Sequence, residues 1–310
     1  SGIGRVRGDR WRHRVAQGGS SRPSWQNRWA IGIYAGSSPL VLSPVEGLEQ
    51  PVLTDRHVSD VRATTVADPF LVRRVDRWYL FFEVLNASTG RGEVAFATSG
   101  DGLRWEYGRV VLREPFHLSY PQVFDWDGES FMIPESGENR TIRLYRCRSW
   151  PDDWRLEATL LAGPFRDATI LRHLDAWWLF SLRGLDELRL HRATRLEGPW
   201  VEHPASPLVA GDRSRSRPGG RMLRHEGRLV RFAQDAWPVY GSRLRAFQVD
   251  RLDEAEYAEH ELPESPVLEA SGEGWNALCM HHVDVQPLAG GRWLAAVDGA
   301  TVALRPGAGP

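Results

Sequence analysis

ADPFLVRRVDRWYLFFE (67–83) and SYPQVFDWDGESFMIPE (119–135) align without a gap. Each is an apolar run, a polar turn and a second run rich in aromatic and aliphatic residues, closed by a glutamate. This is the pattern of a β-hairpin. A third copy, RDATILRHLDAWWLFSL, begins at Arg166, a looser fourth, RPGGRMLRHEGRLVRFAQD, at Arg217, and a fifth, HHVDVQPLAGGRWLAAVDG, at His281. Further strand pairs follow the first four copies, among them GEVAFATSGDGLRWEYGRVVL and TIRLYRCRSWPDDWRLEATLL. Hairpin plus hairpin makes a four-stranded unit of about 50 residues, a period that marks propeller blades. The fifth copy lacks a full following pair, while RWAIGIYAG (28–36) is left over at the amino end. The spacing therefore predicts an all-β fold: a five-bladed β-propeller over 28–305, repeats starting near 67, 119, 166, 217 and 281, its ring closed by the amino-terminal strand. Such closure leaves no open sheet edge between the first and last blades. Residues 1–27 are expected to form a flexible lead-in, and LDEAEYAEHEL (252–262) is the stretch best able to turn helical. A β-sandwich, or two unrelated β domains, would not require five aligned hairpins.

Composition narrows the function classes. The formal charge of −1 over 310 residues offers no excess of cations to displace counterions from a nucleic-acid backbone, so nucleic acid is not an expected partner. No apolar run approaches the roughly 20 residues that span a bilayer. All 39 basic residues are Arg, which removes Schiff-base and P-loop lysine chemistry. Cys147 and Cys279 stand far apart in no metal or redox pattern and read as buried thiols. The amino end has basic residues but no apolar core of a signal peptide, so the cytoplasm is the default compartment. No G-x-G-x-x-G opens a helix and no G-x-S-x-G is present.

Residues equidistant from a hairpin turn are cross-strand neighbours. Asp68 then faces Glu83, Tyr120 faces Glu135, Asp167 faces Leu182, Arg217 lies near Asp235, and His282 near Asp298. Inner strands of all blades start at the same mouth of the central channel. One mouth is expected to collect Asp68, Glu83, Tyr120, Glu135, Asp167, Arg217, Asp235 and His282. Crowded carboxylates of this kind suit a metal cage, an acid–base pair with split pKa values, or a polar plug satisfied by Arg and water. Aromatic residues in or near the same hairpins, Trp177, Trp178, Trp237, Tyr240 and Trp275, are candidate platforms for sugar rings or core packing. Asn276 is a candidate ligand contact or a turn residue.

VADPF, FRDA and ATSGDGLRW resemble the furanosidase-type five-bladed propellers, the superfamily of invertases, levansucrases, arabinanases and β-xylosidases. That resemblance implies Asp68 as base or nucleophile, Asp167 as pKa modulator, and a glutamate on a later blade as proton donor. It also implies a central cation held by a fifth-blade histidine, here His282, so that no cofactor is required but a structural Ca²⁺ in the channel is a candidate. A wider set, HVSDVRATTVADPF, FHLSYPQVF, MIPES, RPGGRML, FAQDAWPVYG and GWNALCMHH, resembles the amino-terminal domain of plant glucosamine inositolphosphorylceramide transferases and their bacterial relatives. In that family the propeller often sits beside a separate transferase domain, for which these 310 residues leave no room. The fourth hairpin departs from the glycosidases: Arg217 and Arg221 stand where the acid glutamate is expected. Glu135 is the best substitute and Glu83 the next.

Two readings stay open. As a glycoside hydrolase or transglycosidase, the chain uses Asp68, Glu135 and Asp167 as its catalytic set. Glu83, His117, Tyr120, Arg217, Arg221, Asp235, Tyr240, Trp275, Asn276 and His281 would contact substrate. As a binding module, the same mouth grips a saccharide or glycolipid head group for a partner or fused transferase domain without cleaving it.

Overall fold

The computed structural model describes residues 24–305. Strands β1 (Ser24–Ser38) and β2 (Val41–Pro44) open the chain, and four blades follow. Blade I is β3 (Ala63–Arg73), β4 (Trp78–Asn86), β5 (Arg91–Ser99) and β6 (Glu106–Leu112). Blade II is β7 (Ser119–Trp126), β8 (Glu129–Glu135), β9 (Thr141–Ser149) and β10 (Asp153–Ala162). Blade III is β11 (Phe165–His173), β12 (Ala176–Arg183), β13 (Glu187–Ala193) and β14 (Val201–Glu202). In blade IV the inner strand is broken into β15 (Arg217–Pro218) and β16 (Leu223–His225). It is followed by β17 (Arg228–Asp235), β18 (Arg243–Leu252), β19 (Tyr257–Glu261) and β20 (Leu268–Glu269). The last strands, β21 (Val283–Pro287) and β22 (Trp293–Arg305), pair with the first two in the order β2-β1-β22-β21.

Blade V is thus made from both chain ends, its β1–β22 ladder running from Ser24↔Arg305 to Gly36↔Trp293. The closing strand expected at Arg28 begins four positions earlier; the rest of the expected lead-in lies outside the described residues. The stretch 252–262 contains no helix: the chain bends after Leu252, the last residue of β18, and Tyr257–Glu261 pairs back onto β18, with Leu262 buried in the core. Among the described residues the only helices are four short 3₁₀ turns, and none is long and apolar enough to cross a membrane.

Both faces of each blade are apolar because both are covered by neighbours. Five apolar clusters each fill one gap between adjacent blades: Phe81 and Phe96 against Met132 and Trp154, Ile133 and Leu144 against Ile170 and Leu179, Trp178 and Leu190 against Leu229 and Val249, Phe232 and Leu244 against Val283 and Val297, Ile31 and Ala296 against Leu80 and Phe82. Trp177 and Trp178 are buried in these gaps, so they are core and not platforms.

Candidate active site

The inner strands of blades I to III share one irregularity. Ala67↔Glu83 is followed by Phe70↔Phe81, Ser119↔Glu135 by Gln122↔Ile133, and Arg166↔Leu182 by Thr169↔Phe180, so each inner strand carries one extra residue at the same place. At that bulge Asp68, Tyr120 and Asp167 adopt positive φ, 53°, 48° and 47°. Left-handed backbone is uncommon for residues other than glycine, and for a bulky Tyr it costs on the order of 1–3 kcal/mol. Bulges of this kind re-aim side chains beside functional sites. They also correct the expected pairing by one position. Glu83 faces Ala67, Glu135 faces Ser119, Leu182 faces Arg166, and Arg217 faces Gln234 rather than Asp235.

The bulges stitch the blades together across the channel. Asp68 N–H donates to Asp298 Oδ2 at 3.0 Å, and Tyr120 N–H donates to Asp68 Oδ2 at 3.2 Å. Tyr120 itself lies under the mouth, fully buried. Its hydroxyl accepts from Gly220 N–H at 2.6 Å and shares a hydrogen bond of 2.8 Å with Thr169 Oγ1. Tyr120 therefore shapes the floor, its hydroxyl spent on Gly220 and Thr169.

Above that floor, Asp68, Glu83, Glu135, Asp167 and Asp298 lie close enough to act on one another electrostatically. Burial, reinforced by Asp298 and Asp167 against His281 and Arg217, pushes the Asp68 carboxyl up to about 7. Glu83 is raised well above the ordinary carboxylate range by burial and by the charges of Asp68, Glu135 and Asp167. Glu135 is raised by burial and by Asp167, in opposition to hydrogen bonds from Gly137 N–H (2.9 Å) and Ser119 Oγ (3.0 Å). Asp167 is paired with Arg217 Nε and accepts from Gln234 Nε2 at 3.0 Å. The guanidinium of Arg217 lies 4.9 Å from the ring centre of Tyr240.

Two histidines complete the mouth. Gly92 N–H donates to His117 Nδ1 at 2.9 Å, which leaves the proton on Nε2, 3.3 Å from Glu83 Oε1. A Cβ at Gly92 would sit 2.2 Å from Leu118 O and 2.7 Å from Glu83 Oε1, so only glycine permits this approach. His281 donates through Nδ1 to Asp298 Oδ1 at 2.9 Å and stacks on Trp29 with ring centres 4.1 Å apart. Burial opposes charging His281, but the Asp298 carboxylate outweighs it and raises its pKa. Burial likewise opposes Asp298, yet His281, His282 and three backbone N–H groups hold it below the ordinary range.

His282 is fully buried, and burial lowers its pKa to about 4. Its Nε2–H donates to Pro69 O at 2.9 Å, so Nδ1 presents a lone pair, without a hydrogen-bond partner, 4.0 Å from Asp68 Oδ1. A backbone carbonyl fixing the far nitrogen is the usual support for a metal-binding imidazole. Ligand atoms of Asp68, His281 and Asp298 also lie within 4.8 Å of one another. His281 Nδ1 is committed to Asp298, so the atoms that fit a cation at the channel floor are His282 Nδ1 and the Asp68 carboxylate.

The remaining expected contacts lie elsewhere. Arg221 is in a plug beneath the mouth: Nε donates to Asp284 Oδ1 (2.9 Å), one terminal nitrogen to Val123 O (2.9 Å), and the other to Asp284 Oδ2 (3.2 Å). Asp235 anchors a loop, accepting from Trp237 N–H (3.0 Å) and Arg245 Nε (2.9 Å). Asn276 is buried and donates to Tyr34 Oη at 3.3 Å, while Trp275 packs on the backbone of Gly32 and Gly299, so both serve blade V. Conversely, Trp29 and Gln234 belong to the mouth without having been singled out. Gln234 is one position from the expected Asp235, displaced by the broken inner strand of blade IV, and Trp29 arrives on the ring-closing strand.

The family model for the amino-terminal region of glucosamine inositolphosphorylceramide transferase 1 matches residues 22–300. The chain belongs to that family. It is 36% identical over 306 residues to a rice (Oryza sativa subsp. indica) protein named glucosamine inositolphosphorylceramide transferase 1, covering 90% of this chain and 41% of the relative. The chain thus spans about two-fifths of the length of the curated relatives it matches. In fold it is similar to a Parabacteroides distasonis protein described as a glycoside hydrolase (TM-score 0.65, 12% identity, 84% of this chain and 95% of that one). It is also similar to the catalytic domain of a Coprinopsis cinerea α-L-arabinofuranosidase (TM-score 0.60, 12% identity, 88% and 97%). These likenesses concern the propeller alone.

Proposed function

We propose that this propeller is a carbohydrate-active domain whose mouth takes a sugar ring of a saccharide or glycolipid head group and cleaves or transfers its glycosidic bond. The supporting observation is the division of labour among three carboxyl groups. Asp68, with a pKa near 7, is suited to act as base or nucleophile; Glu135, held above its ordinary range, is suited to donate the proton. Asp167, bonded to Arg217 and Gln234, helps hold the Glu135 carboxyl above its ordinary range. His117, Glu83, Tyr240, His281 and Trp29 line the remaining wall and orient hydroxyl groups. A divalent cation at the floor would be held by His282 and Asp68, with Asp298 behind them; its charge would lower the carboxyl pKa values, giving the cluster a structural reason and weakening the catalytic one.

A second reading is favoured by one specific feature. Arg217 stands where the furanosidases are expected to place their acid and is committed to Asp167. On this reading the mouth binds a head group for a transferase domain, in keeping with the names of the longer relatives. The two are separated by incubating wild type, Asp68→Asn and Glu135→Gln with nitrophenyl furanosides and pyranosides, oligosaccharides and glycolipids, following released sugar by mass spectrometry. Release by wild type that both substitutions abolish supports the enzyme. Saturable binding without release by any of the three supports the binding module. Elemental analysis of the purified protein tests the cation, and a stoichiometric Ca²⁺ lost on His282→Ala would place it at the floor.

A further inference from the structure

The loops joining second to third strands all rise on the mouth face, and they differ in character. In blade I the loop is Ala-Ser-Thr-Gly (87–90), in blade II Ser-Gly-Glu-Asn-Arg (136–140), and in blade III Gly-Leu-Asp (184–186). Blade III exposes one apolar side chain there, Leu185 (62%), whereas blade IV carries Ala-Trp-Pro-Val-Tyr-Gly-Ser (236–242), with both Trp237 (62%) and Val239 (58%) exposed. Leu278, 43% exposed, lies on the neighbouring segment, which is tied to this loop by Met280 N–H to Gly241 O (3.0 Å) and Cys279 Sγ to Tyr240 O (3.4 Å).

The loop has two ends with different surroundings. Its inner end is part of the mouth: Tyr240 meets His281 edge-on at 5.2 Å and lies against Arg217. Its base is fixed, because Asp235 accepts from Trp237 N–H and Ser242 N–H donates to Asp235 O at 3.2 Å. The apolar tip is therefore held outward by a rigid base.

Size and charge indicate what it meets. Three apolar side chains fall far short of the roughly 800 Å² per partner that a stable protein interface buries. The cations at the base of this loop are already engaged, Arg243 with Asp235 and Glu269, Arg245 with Asp235 and Glu261, so the apolar tip itself brings no positive charge to an anionic surface. Trp beside Pro and Val, next to a polar site, suits the boundary between lipid head groups and acyl chains, where an indole ring is favoured.

We propose that the 237–239 tip, with Leu278, inserts into the hydrocarbon boundary of a bilayer so that the mouth works on the head group of a membrane-borne glycolipid. This rests on the saccharide reading of the mouth given above. The test is co-sedimentation of wild type and the double variant Trp237→Ser/Val239→Ser with neutral phosphatidylcholine vesicles, alongside calorimetric binding of the nitrophenyl glycoside panel. Wild type is expected to partition onto vesicles, the variant about tenfold or more less well. Partitioning should be insensitive to salt because no ion pairing drives it. The variant keeps wild-type melting temperature and glycoside binding. Failure of wild type to sediment, equal sedimentation of both proteins, or loss of binding at high salt overturns the proposal, as does self-association on gel filtration that the variant abolishes without vesicle binding. Loss of vesicle binding in the variant, with no glycoside bound by either protein, upholds the membrane tip and removes the saccharide reading. Glycoside binding without vesicle binding does the reverse.

Discussion

The central channel holds two polar clusters one above the other, and they are built on opposite principles. In the plug, Arg221 spends its donors on Asp284, Val123 O and Leu71 O, and Asp284 also accepts from Leu71 N–H at 2.7 Å. The charges match and four blades are bound together. In the mouth, five carboxyl groups share Arg217 and His281, so that burial and mutual repulsion drive Asp68, Glu83 and Glu135 toward their neutral forms. Beneath them the Nδ1 lone pair of His282 has no hydrogen-bond partner. A satisfied ionic cluster stabilises only while both partners remain, whereas a crowded one holds unfavourable charge that a ligand can relieve. The plug is built for the fold, and the mouth is left with charge that a bound ligand can relieve.

Substitutions sharpen that contrast. Asp68→Asn should reduce turnover about 10²–10⁴-fold with the circular dichroism spectrum unchanged; persistence of activity breaks the assignment of the mouth. Arg221→Met should cost about 3–5 kcal/mol in chemical denaturation by stranding Asp284, and Arg221→Met with Asp284→Leu should recover much of it. Equal losses in the single and double variants would show that the plug acts by packing alone. Gly92→Ala should cost about 1–3 kcal/mol and weaken saccharide binding, since its methyl group displaces Glu83 and the backbone at Leu118.

The smallest effect is expected from Glu83→Gln and depends on pH. The folded pKa of Glu83 is raised, so its stabilising contribution is complete below about 4.5 and is lost as pH rises through the folded value. Glu83→Gln removes that loss, and its melting temperature should overtake wild type as pH rises above about 4.5. A gap that is constant across pH would show that Glu83 is not held toward neutrality.

The hairpin period, the turn chemistry at Asp127-Gly128 and Glu226-Gly227, and the unpaired early strand determined the five-bladed ring and its closure from sequence alone. These are local signals, since the alternation that buries both faces of a strand is written in consecutive residues. Sequence likewise placed Asp68, Glu83, Glu135, Asp167 and Arg217 near one mouth, with His282 among them rather than beneath. It could not assign depth. One extra residue in each inner strand of blades I to III turns Asp68 and Asp167 into the channel and drops Tyr120 to its floor. The broken inner strand of blade IV sends Arg221 into the plug and brings Gln234 to Asp167. Trp29 reaches the mouth only because blade V is assembled from the two ends of the chain. The bulge is a compromise between ladder pairing and the hydrogen bonds Asp68 N–H to Asp298 and Tyr120 N–H to Asp68, partners 230 and 52 positions apart. Only the closed ring brings such groups together, so the tertiary structure decided which polar residues were satisfied and which were left poised.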